Sequence, residues 1–298
     1  LAATLGLIAY VGHIANLDDI LYRVYLNVTT SEESKAAAVW LNDYRMDIKG
    51  LVVQGIPDNL SGLTWNDDTK MLIGVTNSNL LAEISRDGEL IRSLDMEGFE
   101  DVEAIAWMGH DKYLVADERR HTIAQITLNE TTQKIVFDDS PKVTIGIGSG
   151  RNKGFEGLAW DSNQNSAWVA KERDPMAIYN IKGFSLNGLT NHIEINQDPR
   201  INKAIISESS DLSGLHYDQR SGNLLVLSDE SRQLIEVTMD GKVVSTLGLG
   251  IIPHLRNFLP QPEGITMDDK GDIYIVSEPN LFYRFTKKAN NEATATGV

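Results

Sequence analysis

Eight carboxylates stand at two recurring places in this sequence. Glu103, Glu156 and Glu263 each open a short apolar stretch, and Asp117, Glu118, Glu172, Asp229 and Glu230 close the apolar run that comes next. Glu278 takes the closing place in the last copy, while Ser61 and Ser213 take the opening place in two others. Brought to one location, such acids cannot all stay ionised without compensation, because each raises the pKa of its neighbours. Three remedies are open: a bound cation, salt bridges, or uptake of protons. A hard cation suits an all-oxygen donor set, and calcium accepts about six to eight oxygen ligands in loose geometry. Zinc or copper would call for His or Cys. The chain has no cysteine, and its six histidines include no pair at ligand spacing. Arginines also follow the acids, in Glu118-Arg119, Glu172-Arg173 and Glu230-Ser231-Arg232, with Lys171 among them, so a salt-bridged rim stays open as the alternative.

The elements that must position these acids form an internal repeat. Five stretches align: Ser61-Gly-Leu-Thr-Trp65, Glu103-Ala-Ile-Ala-Trp107, Glu156-Gly-Leu-Ala-Trp160, Ser213-Gly-Leu-His-Tyr217 and Glu263-Gly-Ile-Thr-Met267. Their first residues lie 42, 53, 57 and 50 apart, spacings that indicate propeller blades or a comparable array. In each, one face carries large residues and the other small ones, with His216 the one larger intruder. Sheets shaped in this way stack large into small. Continuous apolar runs follow, at Met71–Val75, Tyr113–Ala116, Leu224–Leu227 and Ile273–Val276, as expected of strands covered on both faces. Third strands are expected at 80–84, 122–128, 177–181, 233–238 and 281–285. The turns Asp87-Gly88 and Asp240-Gly241 introduce fourth strands at 89–94 and 242–247.

Four strands per repeat make the blade of a β-propeller. The last repeat has no fourth strand of its own, and the alternating segment near Tyr44–Val53 fits the vacancy, closing the ring and removing exposed edges. The expectation is an all-β, five-bladed β-propeller over residues 44–286, preceded by an N-terminal segment (1–43) and followed by a polar tail (287–298). A sixth, degenerate blade after Leu128 or Ile181 is the alternative. In such a ring, the openers of each first strand and the closers of each second strand meet at one mouth of the central channel.

Net charge is -15, which repels a phosphate backbone and argues against nucleic acid as a partner. Leu1–Gly12 is apolar and uncharged but too short to cross a bilayer, which needs roughly 20 residues. It reads as the outer end of an anchor or signal, or as a helix packed on the domain. Apolar positions Ile14, Leu17, Leu21 and Val24 predict an amphipathic helix over 14–26. Residues 29–38 read as a spacer or a further helical turn.

Catalytic motifs are sparse. No G-x-S-x-G occurs, and the histidines suggest no triad. His121, just past a second strand, is the best-placed base. Gly146-Ile-Gly-Ser-Gly150 lacks the spacing of a phosphate loop and reads as an inter-blade loop.

The segments Gly154-Phe-Glu-Gly-Leu-Ala159, Ala116-Asp-Glu-Arg119, Leu227-Ser-Asp-Glu-Ser-Arg232, Gln261-Pro-Glu-Gly-Ile265 and Tyr274-Ile-Val-Ser-Glu-Pro-Asn280, the last followed by Phe282-Tyr-Arg-Phe285, together resemble the SdiA-regulated family of bacterial proteins. The resemblance spans residues 45–286. It implies a five-bladed propeller distantly related to NHL-repeat proteins, a calcium site, an N-terminal membrane anchor and no established activity. Two functions are therefore expected. One is a calcium-bearing binding or scaffolding module, anchored in the inner membrane with its propeller in the periplasm, presenting the acidic mouth to a small molecule or protein. The other is a calcium-dependent hydrolase of lactones or phosphoesters.

Overall fold

The computed structural model describes residues 17–146, 154–250 and 259–287. Two helices come first, α1 (Leu17–Thr29) and α2 (Glu32–Ala37), then strand β1 (Tyr44–Val52). Blade one comprises β2 (Leu60–Asn66), β3 (Met71–Thr76), β4 (Leu80–Ile84) and β5 (Leu90–Glu97). Blade two has β6 (Val102–Gly109), β7 (Lys112–Asp117) and β8 (Thr122–Thr127). After β8 the short β9 (Ile135–Val136) crosses back to pair in parallel with β5, and β10 (Lys142–Thr144) completes the second blade. Blade three is β11 (Phe155–Asp161), β12 (Ser166–Lys171), β13 (Ala177–Ser185) and β14 (Gly188–Asn196), followed by helix α3 (Pro199–Glu208). Blade four is β15 (Gly214–Asp218), β16 (Asn223–Ser228), β17 (Gln233–Val237) and β18 (Val243–Gly248). Blade five is β19 (Pro262–Met267), β20 (Ile273–Ser277) and β21 (Leu281–Lys287).

Its fourth strand is β1, which runs antiparallel to β21 from Tyr44 opposite Lys287 to Val52 opposite Leu281. The ring is closed as expected, by the segment before the first repeat. Among the described residues there are five sheets and no sixth. The long segments after Leu128 and Ile181 instead supply β9 and β10 in one case, and β14 and α3 in the other.

The innermost strands touch in cyclic order, β2 to β6, β6 to β11, β11 to β15, β15 to β19, and β19 back to β2. What permits this is the small residue after each opener. A Cβ on Gly264 would collide with the Ser61 carbonyl and lie 2.8 Å from the Leu63 amide. One on Gly62 would lie 2.8 Å from the Glu103 carbonyl, and one on Gly157 would lie 2.9 Å from Leu215 Cβ. Hydroxyls two residues further on stitch neighbouring blades together: Trp65 N donates to Thr266 Oγ1 and Trp107 N to Thr64 Oγ1, both at 3.0 Å. The apolar core is accordingly divided into five clusters, each lying between consecutive blades.

Helix α1 is described from Leu17 and ends three residues later than the spacing predicts, and Ile14 lies outside the described residues. Its packed face also differs. Leu26 is buried against blades three and four, with Tyr22 beside it, whereas Leu21 is 68% and Val28 77% exposed, and Val24 and Tyr25 also face outward. Among its described side chains, from Leu21 onward, a narrow strip finds the propeller. The expected polar tail and the Gly146–Gly150 loop beyond Gly146 lie outside the described residues.

Candidate metal centre

Hairpin geometry places the start of each first strand beside the end of the second. Glu103 enters from β6, Glu156 from β11 and Glu263 from β19, while Glu118 and Glu172 follow directly on β7 and β12. Carboxylate oxygens of Glu118, Glu156 and Glu172 all lie within 4.8 Å of one another, as do those of Asp101, Glu103 and Glu118. Glu118 therefore belongs to both groups, and a hydrogen bond fixes it, Gly154 N donating to its Oε1 at 2.8 Å. A side chain on Gly154 would overlap the Glu118 Cγ, so glycine is what lets the two blades meet there.

The electrostatics of this mouth are those of crowded, desolvated acids. Burial, followed by the charges of Asp229, Glu103 and Glu278, pushes the Glu263 carboxyl up to about 9. Glu156 is raised well above its ordinary value by burial, then by Glu103, Glu118, Glu263 and Glu172. Burial also raises Glu103, against a hydrogen bond from Ser61 that favours its ionised form. Glu118 and Asp117 shift the same way, burial again leading, and Asp229 reaches about 6.

The arginines bond some of these acids and not others. Arg119 pairs with Asp101 at 3.2 Å, Arg173 joins Glu172 and Glu230, and Arg232 reaches Asp229 at 3.7 Å. Buried Lys171 donates to the Arg173 and Pro175 carbonyls. Among the described residues no lysine or arginine is paired with Glu103, Glu156 or Glu263. The salt-bridged rim therefore exists, and it leaves the inner three carboxylates uncompensated. An all-oxygen, acid-rich donor set of this kind fits a hard divalent cation such as calcium.

The eight acids named from sequence are not equivalent. Glu103, Glu118, Glu156, Glu172 and Glu263 form the inner group, and Asp229 adjoins Glu263. Asp117 ends β7 and accepts the Glu100 and Arg120 amides at 2.8 and 3.2 Å, a turn-holding role. Glu230 lies outward, its Oε1 2.6 Å from Arg173 Nη1. In strand register Asp117 corresponds to Lys171 and Ser228, so Glu118 rather than Asp117 is the counterpart of Asp229. Two further acids, Asp101 and Asp211, reach the mouth. Each stands two residues before an opener, Glu103 or Ser213, on the same side of the chain, which is the signal that marks them.

Residues 36–286 match the model of the SdiA-regulated family. The chain belongs to that family. This member is also similar in fold to glutaminyl cyclase from Myxococcus xanthus, with 11% identity, a TM-score of 0.55 and coverage of 82% of this chain and 95% of that one. A second similar structure is XC5397 from Xanthomonas campestris, described as a gluconolactonase, with 13% identity, a TM-score of 0.51 and coverage of 87% and 94%. At such identities the likeness is one of fold.

Proposed function

We propose that this family member is a calcium-binding β-propeller that serves as a binding or scaffolding module outside the cytoplasm, offering its acidic mouth to a small molecule or protein. One observation carries the reading: Glu103, Glu156 and Glu263 converge from three blades, half-buried among further acids, and no described lysine or arginine pairs with them. Glu103, Glu118, Glu156, Glu172 and Glu263 would hold the ion. Bound there, calcium supplies the positive charge that lets these carboxylates ionise together.

Support for a membrane-held position comes from the apolar Leu1–Gly12 and from the outward residues Leu21, Val24, Tyr25 and Val28 of α1, which suit an interface better than water. Among the described residues no helix is long and apolar enough to cross a membrane. A calcium titration followed by calorimetry and by thermal unfolding tests the reading. The expected result is saturable binding with a raised Tm, lost in Glu156→Gln. An unchanged Tm at millimolar calcium would leave protonation and the arginine rim to account for the mouth.

The second reading is a calcium-dependent hydrolase, of lactonase or phosphoesterase type. It is supported by His121, which lies near Glu118 and whose ring packs edge-on against Phe155 at 6.5 Å, within the same mouth. The fold it shares with a gluconolactonase is analogy. Chelator-sensitive turnover of a lactone or phosphoester, abolished in His121→Asn, would favour this reading over the first.

A further inference from the structure

The central channel narrows sharply part-way along its length. Just beneath the acidic mouth, Leu63, Ile105, Leu158, Leu215 and Ile265 close around a void of about 10 Å³, no larger than one water. Beyond that aliphatic plug the channel opens again into a cavity of about 370 Å³ at the other ends of the same strands. The spacing from Glu103 to Trp107 puts it roughly 13 Å along the strand from the acids. Its size falls at the small end of the range for small-molecule sites, roughly 300–1,000 Å³.

The wall of this cavity is aromatic. Trp65, Trp107, Trp160 and Tyr217 line it at the fifth position of four repeats, Met267 at the fifth of the last, and His216 reaches in from the fourth position of its strand. Two of the indoles are held in place by their own N–H groups. Trp107 Nε1 donates to the His110 carbonyl at 2.8 Å and Trp65 Nε1 to Asp67 Oδ1 at 3.3 Å. Where the other four repeats have Thr or Ala, this one has His216, which lies 3.5 Å through Nδ1 from Thr266 Oγ1. Burial holds its imidazole down to about 4, so it is neutral at ordinary pH and offers one donor and one acceptor.

The charged groups at the rim are ion-paired with one another, three cations to four carboxylates. Arg86 bonds Asp268 and Asp269, Lys70 lies 2.6 Å from Asp67 and 2.9 Å from Asp269, and Arg220 lies 3.0 Å from Asp218. A cation-binding aromatic cage wants open ring faces and uncompensated acids. Here the Arg86 guanidinium already lies over the Trp65 ring at 4.4 Å. The fixed aromatic walls, the neutral imidazole and the self-paired rim all favour an uncharged occupant.

We propose that this cavity is a binding site for a small, flat, uncharged and chiefly apolar molecule, which packs among Trp65, Trp107, Trp160 and Tyr217 and hydrogen-bonds to His216. The site is independent of the acidic mouth, from which the aliphatic plug separates it.

Three of the five tryptophans line the cavity, so their emission reports occupancy. The test titrates the full chain with N-phenyl-1-naphthylamine, an uncharged diaryl probe, following energy transfer from tryptophan, with choline as the charged comparison. The expected result is saturable binding at one site and no competition by choline. His216→Phe, which fills the cavity and removes the ring nitrogens, should weaken binding by about tenfold or more. Ala159→Leu intrudes less from the neighbouring wall and should weaken binding severalfold, and it serves if His216→Phe does not fold. Non-saturable uptake of the probe, displacement by choline, or equal binding in a folded cavity-filled variant would overturn the proposal.

Discussion

Gly154 of blade three gives its amide to Glu118 of blade two at 2.8 Å, and it has no side chain to keep that carboxylate away. Because Glu118 belongs to both acid groups, this contact sets the spacing of the whole mouth. Gly154→Ala should therefore lower calcium affinity by about tenfold or more. It should also destabilise the ion-free protein by about 1–3 kcal/mol through local overpacking. Calorimetric titration and denaturant unfolding measure the two effects separately, and an unaltered affinity would contradict the role given to Glu118.

The ion-free protein should lose stability as the solution becomes more basic. Glu263 has a folded value of about 9, raised from an ordinary 4.5, so the folded chain holds a proton that the unfolded chain releases between those limits. Stability then falls with rising pH across that window. His216 acts oppositely, being depressed to about 4 from 6.5, and its contribution is lost as pH falls through that interval. Between pH 6.5 and 9 the raised acids dominate, since the buried tyrosines titrate only at higher pH. In chelator, Tm should drop on the order of 5 °C between pH 7 and 9. Saturating calcium should flatten the slope, because the ion replaces the protons, and Glu263→Gln should flatten it without calcium. A slope unchanged by calcium would place the ion elsewhere.

Ring closure should be sensitive at Gly264, where blade five meets blade one at the Ser61 carbonyl and the Leu63 amide. Gly264→Ala should cost about 1–3 kcal/mol, and calcium should recover only part of the loss. Chemical denaturation with and without the ion provides the comparison.

The outward face of α1 should govern contact with lipid. Leu21→Ser with Val28→Ser should reduce flotation of the full chain with zwitterionic phospholipid vesicles severalfold, leaving Tm within about 1 °C, since both residues are largely exposed. Leu26→Ala, on the buried face, should do the reverse, lowering stability by about 2–3 kcal/mol and sparing flotation.

Much of this architecture is legible in the chain because it repeats. Strand alternation and the recurrent opener–glycine pair specify which edges face each other, and the vacancy in the last blade names its own filler. What escapes has local causes. β9 and β10 are two and three residues long and sit in polar surroundings, too short for any period to show. The one-residue offset between Asp117-Glu118 and Asp229-Glu230 depends on where β7 and β16 end, which similar dipeptides conceal. Helix α1 shows an apolar stripe at Leu21 and Val24 but packs against β18 through Leu26. The aromatic cavity was hidden for another reason. Trp65, Trp107 and Trp160 look like packing residues of single blades until, with Tyr217 and Met267, they are seen around one axis.

The strand that seals the ring is also the first one after the N-terminal segment, and it is joined to its neighbour along a single edge, β1 on β21. Any pull transmitted through that segment would first load Leu26 and the Val39, Trp40 and Leu41 amides, which blade four holds through Glu236 and Ser245. Only once those contacts gave would strain peel the zipper strand residue by residue from Tyr44, so blade four shields the seam from a tether.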